Sequence, residues 1–490
     1  MKVGFFSADI IFVGNNFQES TPGKRSDELL FQLSSFNSSA FIACDNIFLS
    51  YEFIIALMLQ LIPYRYRVLV FLCSLTTLTY LDRICISIVG VRIKSEFHLD
   101  NEQFGWVVAS FALAYALFEI PSGMLGDRIG PRAVFIRIVL FWSLFTAVTG
   151  LTTGLISLII VRFLFGMGES GTYPNAILVV SRWFPANETG RALTGVGMGQ
   201  QIGSAIAPLI IIPLAVAYGW RMPFYVNAAI GVLWVLVCYL WFKDFPSQMK
   251  HISENEKQKI ESGCRHNKQQ HSLPLKVIFR NRTVWTLMLM YFCFQWANYF
   301  FIAWMPVYLQ EGRHFSEAQT KPIIFSLFIA AIVGLLVGGF IADWLVKNKG
   351  LRFGRRLVGM TGMGMCGILI LATAIVPQNN LAAICLIAAN GFYGFSVMSS
   401  FGVCSDIARN NAGTVAGAMN FFGQMGAFFL AIVFGKIADI THNLNYPLFV
   451  VTAILLIGCL LWLVIDPLHQ LTISLKEEKS KTEPVSLYQE

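Results

Sequence analysis

Charged residues are scarce in this sequence. Asp, Glu, Lys and Arg together make up 13% of its 490 residues, hydrophobic residues make up 56%, and the mean hydropathy is +0.61. A water-soluble chain of this length needs about twice that charged fraction to cover its surface. The composition therefore excludes soluble enzyme folds and predicts an all-α polytopic membrane protein.

Sequence motifs of several chemical classes are also missing. The chain has no phosphate-cradling GxxxxGKS or GxxxxGKT motif, no HExxH motif and no nucleophile elbow. Its ten cysteines include no CxxC pair, and its seven histidines fall in predicted loops and cytoplasmic segments. These absences argue against ATP-driven transport and against an enzyme, and no cofactor or metal is expected.

Long apolar runs occupy most of the chain. A run of about 18 to 25 apolar residues is long enough to cross the hydrocarbon core of a bilayer. Twelve such spans are predicted at 66–90, 103–125, 133–152, 155–180, 189–216, 221–243, 283–310, 321–346, 356–376, 379–401, 411–437 and 446–465. A hydrophilic linker at 246–281 separates a six-helix bundle at 61–245 from a second at 282–467, and a cytoplasmic tail follows at 468–490.

The positive charges are distributed unequally between the loops. The connections after spans 2, 4, 6, 8 and 10 hold 19 Lys and Arg residues, whereas the opposite set holds 6. By the positive-inside rule, both ends of the twelve-span bundle face the cytoplasm. The expected location is the inner, cytoplasmic membrane of the cell. The net charge of +8 is explained by this asymmetry, so no nucleic-acid partner is expected.

The extension at 1–60 differs in composition from the rest. Its apolar patch at 41–62 is interrupted by Asp45 and Glu52, which makes it a poor span. We expect an over-extended start, with Met58 as a natural alternative, or a poorly ordered tail. An interfacial amphipathic helix is the remaining alternative.

At least five ionisable residues lie inside the apolar spans. Asp82 and Arg83 lie in span 1, Glu119 in span 2, and Arg162 and Glu169 in span 4. An unpaired charge inside the membrane costs several kcal/mol, so such residues usually serve a function. Arg162 and Glu169 are separated by about 10 Å of helix rise, which suits two separate tasks. The pattern indicates a protein that moves a charged solute.

A loop motif occurs once in each half of the chain. The sequence GMLGDRIGPR at 123–132 follows span 2, and GFIAD at 339–343 ends span 8. The aspartates of the two copies, Asp127 and Asp343, are 216 residues apart, although Trp344 and an insertion break the second copy. This spacing indicates a duplicated six-span unit.

These motifs resemble the signature of the major facilitator superfamily. The GxxxDRxG pattern at 123–130, its degenerate second copy and RFLFGMG at 162–168 carry the resemblance, which covers about 61–467. In addition, YLDR at 80–83, ESGTYPN at 169–175 and RWFP at 182–185 are similar to the anion:cation symporter branch. Bacterial members of that branch carry galactonate, glucarate and hexuronates.

The resemblance implies two six-helix bundles around a central site that opens to each side of the membrane in turn. It also implies that Arg83 and Arg162 bind the carboxylate of a sugar acid, which a guanidinium can grip through two hydrogen bonds. Tyr115, Gln200 and Asn420 are then expected to bind the hydroxyl groups. For both arginines, neutralisation of the nearby carboxylates is the alternative role.

Asp82 and Glu169 are the candidates for proton coupling. A buried carboxyl group takes up a proton more readily than an exposed one, and a nearby guanidinium opposes this, so substrate on the arginine can be linked to protonation. A structural ion pair is the alternative for each. By the same resemblance, Asp127, Arg128 and Asp343 are expected to be gating residues, with a solvated turn as the alternative.

The sequence thus predicts a proton-coupled symporter that imports an organic anion, most simply a sugar acid, and works as a monomer. A carrier of phosphate or of another organic anion with the same fold is the nearest alternative. A membrane sensor that binds the anion and signals through its tail is an alternative from a different class. Glu119, just before Pro121, is either a gate partner or a satisfied buried acid.

Overall fold

The structure, a computed structural model, describes residues 62–468 except 186, 250–251, 264–278, 280 and 409–411. The described residues from Tyr64 onward belong to one compact unit. The predicted extension at 1–60 and the predicted tail beyond residue 468 lie outside the described residues. All regular secondary structure in the described part is helical.

Within the described residues, twelve helices are long and apolar enough to cross a membrane, and each coincides with a predicted span. They are α1 Tyr64–Ile88, α2 Asn101–Ile129, α3 Pro131–Thr149, α4 Leu155–Trp183, α5 Thr189–Tyr218, α6 Met222–Trp241, α7 Arg282–Gly312, α8 Glu317–Lys349, α9 Leu351–Ile375, α10 Asn379–Ile407, α11 Thr414–Thr441 and α12 Tyr446–Val464. The prediction of an all-α polytopic membrane protein is confirmed.

The second helix of each half begins and ends in the same way. A capping box opens α2 at Asp100 and α8 at Ser316, with the side chain of the residue three positions later completing it. Both helices end at a glycine with positive φ, Gly130 at 86° and Gly350 at 90°. Glycine adopts this backbone conformation without steric cost, so each helix stops there. The matching termini support the predicted duplication.

The loop predicted after span 2 is shorter than expected. Asp127 and Arg128 lie in the last turn of α2, which continues to Ile129, and the chain turns at Gly130 alone. The equivalent Gly350 lies seven residues after Asp343 instead of three after Asp127. The insertion in the second copy therefore lengthens α8 by about one helical turn.

The short linker helix Glu254–Gly263 packs on the first half of the molecule. The carboxylate of Glu256 accepts hydrogen bonds from the backbone N–H groups of Tyr64 at 2.9 Å and Arg65 at 3.0 Å, and so caps α1. Glu188, before α5, bonds to Lys259 at 2.9 Å and to Arg65 at 3.0 Å. The hydrogen bond from Lys259, with the charge of Arg65, lowers the pKa of the Glu188 carboxyl.

Helix α7 departs from regular α-helical geometry near its end. Two π-helical segments, Phe300–Trp304 and Tyr308–Gly312, flank the short stretch that contains Pro306. A proline removes one backbone N–H donor and disturbs the turn before it. The change in hydrogen bonding along α7 therefore coincides with Pro306.

The two halves meet closely at one end of the bundle. We call the end at which the chain passes from α6 to α7 the linker end, and the opposite end the far end. At the far end Arg92 forms two hydrogen bonds of 2.8 Å with Glu317, and Lys94 pairs with Glu311. Every ion pair between the halves in the described residues lies at this end. The far end is therefore closed.

Candidate functional site

A cavity of about 160 Å³ lies between the two halves and is lined by residues of α1, α2, α4 and α5 on one side and α7, α8, α10 and α11 on the other. Arg83 is the only charged side chain among the described residues that line it. The rest of the lining is rich in hydroxyl and carboxamide groups. A cavity with one cation and many neutral hydrogen-bonding groups suits a hydroxylated anion.

Aromatic rings surround Arg83 on α1. Its guanidinium carbon lies 4.6 Å from the ring centre of Tyr80, 4.9 Å from that of Phe111 and 4.9 Å from that of Tyr115. The negative faces of aromatic rings stabilise a cation that has lost water. These rings hold the Arg83 side chain at the cavity wall. They carry no net charge, so they do not neutralise its guanidinium.

Glu169 on α4 is the ionic partner of Arg83. Its Oε1 accepts a hydrogen bond from Nε of Arg83 at 2.8 Å and another from Nη2. Glu169 is 0% exposed and its Oε2 has no partner within the described residues, so the carboxyl group is only half satisfied. An anion that enters the cavity must compete with this buried carboxyl group for the same guanidinium.

Arg162 lies behind the cavity and does not line it. It is 2% exposed, and its guanidinium carbon lies 4.4 Å from the ring centre of Phe165 and 5.3 Å from that of Phe111. Its Nε has no hydrogen-bond partner, and Arg162 forms no ion pair, within the described residues. The ring of Phe111 thus lies close to both guanidinium groups, and only Arg83 lines the cavity in this conformation.

Asp82 also lies behind the cavity. It is 2% exposed, and neither carboxylate oxygen has a hydrogen-bond partner in the part of the chain that the structure describes. Asn227 on α6 and Trp142 on α3, which interact electrostatically with Asp82, are equally buried, and the polar atoms of their side chains also lack partners there. A carboxyl group that is buried without hydrogen bonds has a high free energy when it is ionised.

The predicted hydroxyl-binding residues come together at the cavity. Tyr115, Gln200 and Asn420 all line it, from α2, α5 and α11. Sequence reasoning did not place several further polar residues of the lining at the substrate position. They are Thr76, Thr79, Tyr173, Gln201, Tyr291, Gln295, Asn298, Tyr393 and Gln424.

The predicted gating residues are separated from the cavity and lie at the linker end. Asp127 and Arg128 are exposed on the last turn of α2. The side chain of Asp343 is 84% exposed and approaches Arg355, of its own half, at 4.0 Å. No ion pair or hydrogen bond joins these residues to the opposite half among the described residues, so their gating role remains a prediction.

A group of hydrogen-bonded residues that joins the two halves at the far end was not predicted from the sequence. Asp439 of α11 accepts hydrogen bonds from the backbone N–H of Asn101 at 3.1 Å and of Glu102 at 2.6 Å, at the start of α2. Lys94 bonds to Asn101 at 2.6 Å and connects this cap to Glu311. The sequence signal was the cluster of charges between spans 1 and 2, from Arg92 to Glu102, and Asp439 just after span 11.

The arrangement defines a class of protein: a twelve-helix membrane protein with a polar central cavity, closed at one end. No cluster of three or more His, Cys, Asp or Glu side chains that could hold a metal ion occurs in the residues described. Residues 72–431 match the sequence profile of the Major Facilitator Superfamily. The chain belongs to this family, and it is a transporter and not an enzyme.

Several curated transporters are similar to this chain over nearly their whole length. A probable sulfoacetate transporter of Cupriavidus necator is 30% identical, covering 86% of this chain and 98% of that protein. A hexuronate transporter of Bacillus subtilis is 29% identical, covering 77% and 89%. A D-galactonate transporter of Escherichia coli is 29% identical, covering 82% and 95%.

A solved structure shares the fold. It is the bacterial homologue of the human lysosomal transporter Spinster in an inward-facing and occupied conformation, with a TM-score of 0.67 and 19% identity. The match covers 82% of this chain and 97% of that one. It confirms the two-bundle architecture expected from the sequence.

Proposed function

We propose that this transporter imports an organic anion, most simply a sugar acid, together with protons. The observation that carries the proposal is the position of Arg83. It is the one charged group among the described lining residues of the cavity, and a buried carboxyl group already occupies it. A substrate carboxylate and Glu169 compete for the same guanidinium.

This competition provides the coupling. When Glu169 takes up a proton, its attraction for Arg83 falls and the guanidinium becomes available to the substrate carboxylate. When the substrate leaves, Arg83 again favours the ionised form of Glu169, and the proton is released. Asp82, which is buried without a hydrogen-bond partner within the described residues, is the second proton carrier in this proposal.

The proposed direction is inward, and the membrane potential then sets the number of protons required. The linker end carries the excess of Lys and Arg, so by the positive-inside rule it faces the cytoplasm, and the closed far end faces outward. Each negative charge moved inward against the membrane potential costs about 2.3 kcal/mol per 100 mV. Uptake against that potential therefore needs at least one proton for each negative charge on the substrate.

The hydroxyl-rich lining supports a sugar acid as substrate. A sugar acid presents a carboxylate for Arg83 and several hydroxyl groups for Tyr115, Gln200 and Asn420. The similarity to hexuronate and D-galactonate transporters agrees with this choice. A dianion, whether glucarate or sulfoacetate, would bring two charges to a cavity that offers one lining cation among its described residues, so its uptake would need a second proton.

Uptake into proteoliposomes tests the proposal. Labelled galactonate, glucarate and glucuronate are supplied with and without an inward proton gradient to wild type, Glu169→Gln and Glu261→Gln, an exposed control on the linker helix. We expect gradient-driven accumulation of at least one acid by wild type and by the control. Glu169→Gln should lose accumulation and keep counterflow exchange, because its neutral side chain resembles the protonated state.

Other outcomes separate the alternatives. If no sugar acid enters under any gradient, the substrate class is wrong, and phosphate, dicarboxylates and sulfoacetate are tested next. If accumulation does not depend on the gradient, the coupling is wrong. Binding of an anion without transport would favour a sensor.

A further inference from the structure

Glu119 on α2 contacts the opposite half of the molecule. It is 5% exposed, and Nδ2 of Asn420 on α11 lies 2.5 Å from its Oε1 and 2.7 Å from its Oε2. Asn420 lines the central cavity, whereas Glu119 lies behind it. The contact therefore connects a buried carboxylate with a side chain at the substrate position.

The contact continues a tightly packed pair of helices. Toward the far end, a Cβ atom at Gly105 of α2 would lie 2.5 Å from the carbonyl oxygen of Ala431, and one at Gly435 of α11 would lie 2.2 Å from that of Asn101. The pairs run in opposite directions along the two helices, so α2 and α11 are antiparallel. Of these contacts, the one made by Glu119 is nearest the linker end. Backbone packing beyond it fixes the distance between Glu119 and Asn420.

The two side chains have complementary hydrogen-bonding groups. A carboxylate only accepts hydrogen bonds, and the carboxamide nitrogen of asparagine only donates them. Glu119 therefore fixes which way the Asn420 carboxamide is turned, because Nδ2 donates to both of its carboxyl oxygens. The Oδ1 atom, which makes no hydrogen bond within the described residues, is left for the cavity. At this point the site offers an acceptor, which binds a substrate hydroxyl and disfavours a carboxylate or sulfonate oxygen.

We propose that Glu119 is a positioning residue of the transport site. It holds the Asn420 carboxamide with its oxygen toward the substrate and so selects anions that carry a hydroxyl group there. The inference rests on the proposed transport of an organic anion, and it adds which part of the substrate meets Asn420.

The contact is tested first without any substrate. Thermal unfolding of purified protein is compared for wild type, Glu119→Ala, Asn420→Ala and the double variant. If Glu119 holds Asn420, the double variant loses less stability than the sum of the two single losses. Strictly additive losses would overturn the proposal whatever the substrate is.

Selectivity is tested next with Glu119→Gln, which keeps the size of the side chain. A glutamine can accept from Nδ2 or donate to Oδ1 of Asn420, so the carboxamide is no longer held one way. Competition by analogues of the transported acid, each lacking one hydroxyl group, is measured in counterflow. In wild type one analogue should bind about tenfold more weakly than the parent acid, the value of one lost hydrogen bond, and in Glu119→Gln this difference should largely disappear.

Glu102→Gln, the same chemical change on the same helix outside the cavity lining, is the control and should keep the wild-type selectivity. The proposal is overturned if Glu119→Gln discriminates among the analogues as wild type does. If wild type transports no sugar acid, the proposed function alone is overturned. The stability cycle then decides whether Glu119 positions Asn420.

Discussion

Replacing Asp439 by asparagine should loosen the far end of the molecule. The Asp439 carboxylate accepts three hydrogen bonds from the other half: from the backbone N–H groups of Asn101 and Glu102, and from Nδ2 of Asn101 at 2.6 Å. These backbone groups lie in the first turn of α2, where unpaired N–H groups and the helix dipole favour a negative charge. Asparagine keeps one acceptor oxygen and loses the charge.

The magnitude follows from the geometry. Loss of a good helix-capping acceptor costs about 0.5 to 2 kcal/mol. Loss of a negative charge at a helix N-terminus costs about 0.3 to 1 kcal/mol. Because Asp439 and α2 belong to different halves, this sum of about 1 to 3 kcal/mol acts on the equilibrium between closed and open far ends. The equilibrium should therefore shift about 5- to 150-fold toward opening.

Distances between spin labels measure the shift. Ser95→Cys and Asn443→Cys place labels on exposed positions of the two halves at the far end, after replacement of reactive native cysteines. Asp439→Asn should increase the population with a long distance. The control Asp466→Asn, whose carboxylate contacts Arg352 of its own half at 3.5 Å, should not. Equal distance distributions for wild type and Asp439→Asn would refute the reasoning.

Three further predictions follow from the packing and from the surface charges. Glu317→Gln should shift the same label distances less than Asp439→Asn, because its ion pair is about one-third exposed and is worth about 1 kcal/mol or less; a larger shift would contradict this ranking. Glu188, whose pKa is lowered in the folded protein, stabilises the fold above the unfolded pKa of about 4.3, and this contribution is lost as pH falls through the folded value. Thermal unfolding of Glu188→Gln should therefore depend less on pH below about 5 than that of wild type. Gly203→Ala should destabilise the protein by about 1 to 3 kcal/mol, because its Cβ would lie 2.2 Å from a carbonyl oxygen of α1. Gly190→Ala, which meets nothing within 4 Å, should be neutral or slightly stabilising in the same unfolding assay.

The positions of the helices along the chain could be predicted from the sequence because they depend on local composition. A membrane span needs an apolar run of a certain length, and the scarcity of charge makes each interruption visible. All twelve spans coincide with helices of the structure. The extent of α2 was underestimated because Asp127 and Arg128 are polar, although polar residues complete the last turn of a membrane helix at its aqueous end.

The partners within the site could not be predicted because they depend on contacts between distant residues. The sequence placed Arg83 beside Asp82, yet its ionic partner is Glu169, 86 residues away. The sequence also treated Arg83 and Arg162 alike, whereas only Arg83 lines the cavity in this conformation. Whether Arg162 binds substrate in another conformation remains a prediction of the resemblance. Side-chain direction on a helix decides such questions, and the order of residues alone does not give it.

The buried charges at and behind the cavity explain why a proton and an anion must move together in the proposed mechanism. Arg83 and Arg162 supply two positive charges, and Asp82 and Glu169 supply two negative charges, so this buried group is neutral when all four are ionised. An entering carboxylate adds one negative charge in a region where an uncompensated charge costs several kcal/mol. Protonation of Glu169 removes that excess and releases the guanidinium that the substrate needs. The same proton on Glu169 thus balances the charge of the substrate and frees Arg83 to bind it. A carboxylate on the surface could do neither, because water would screen its charge.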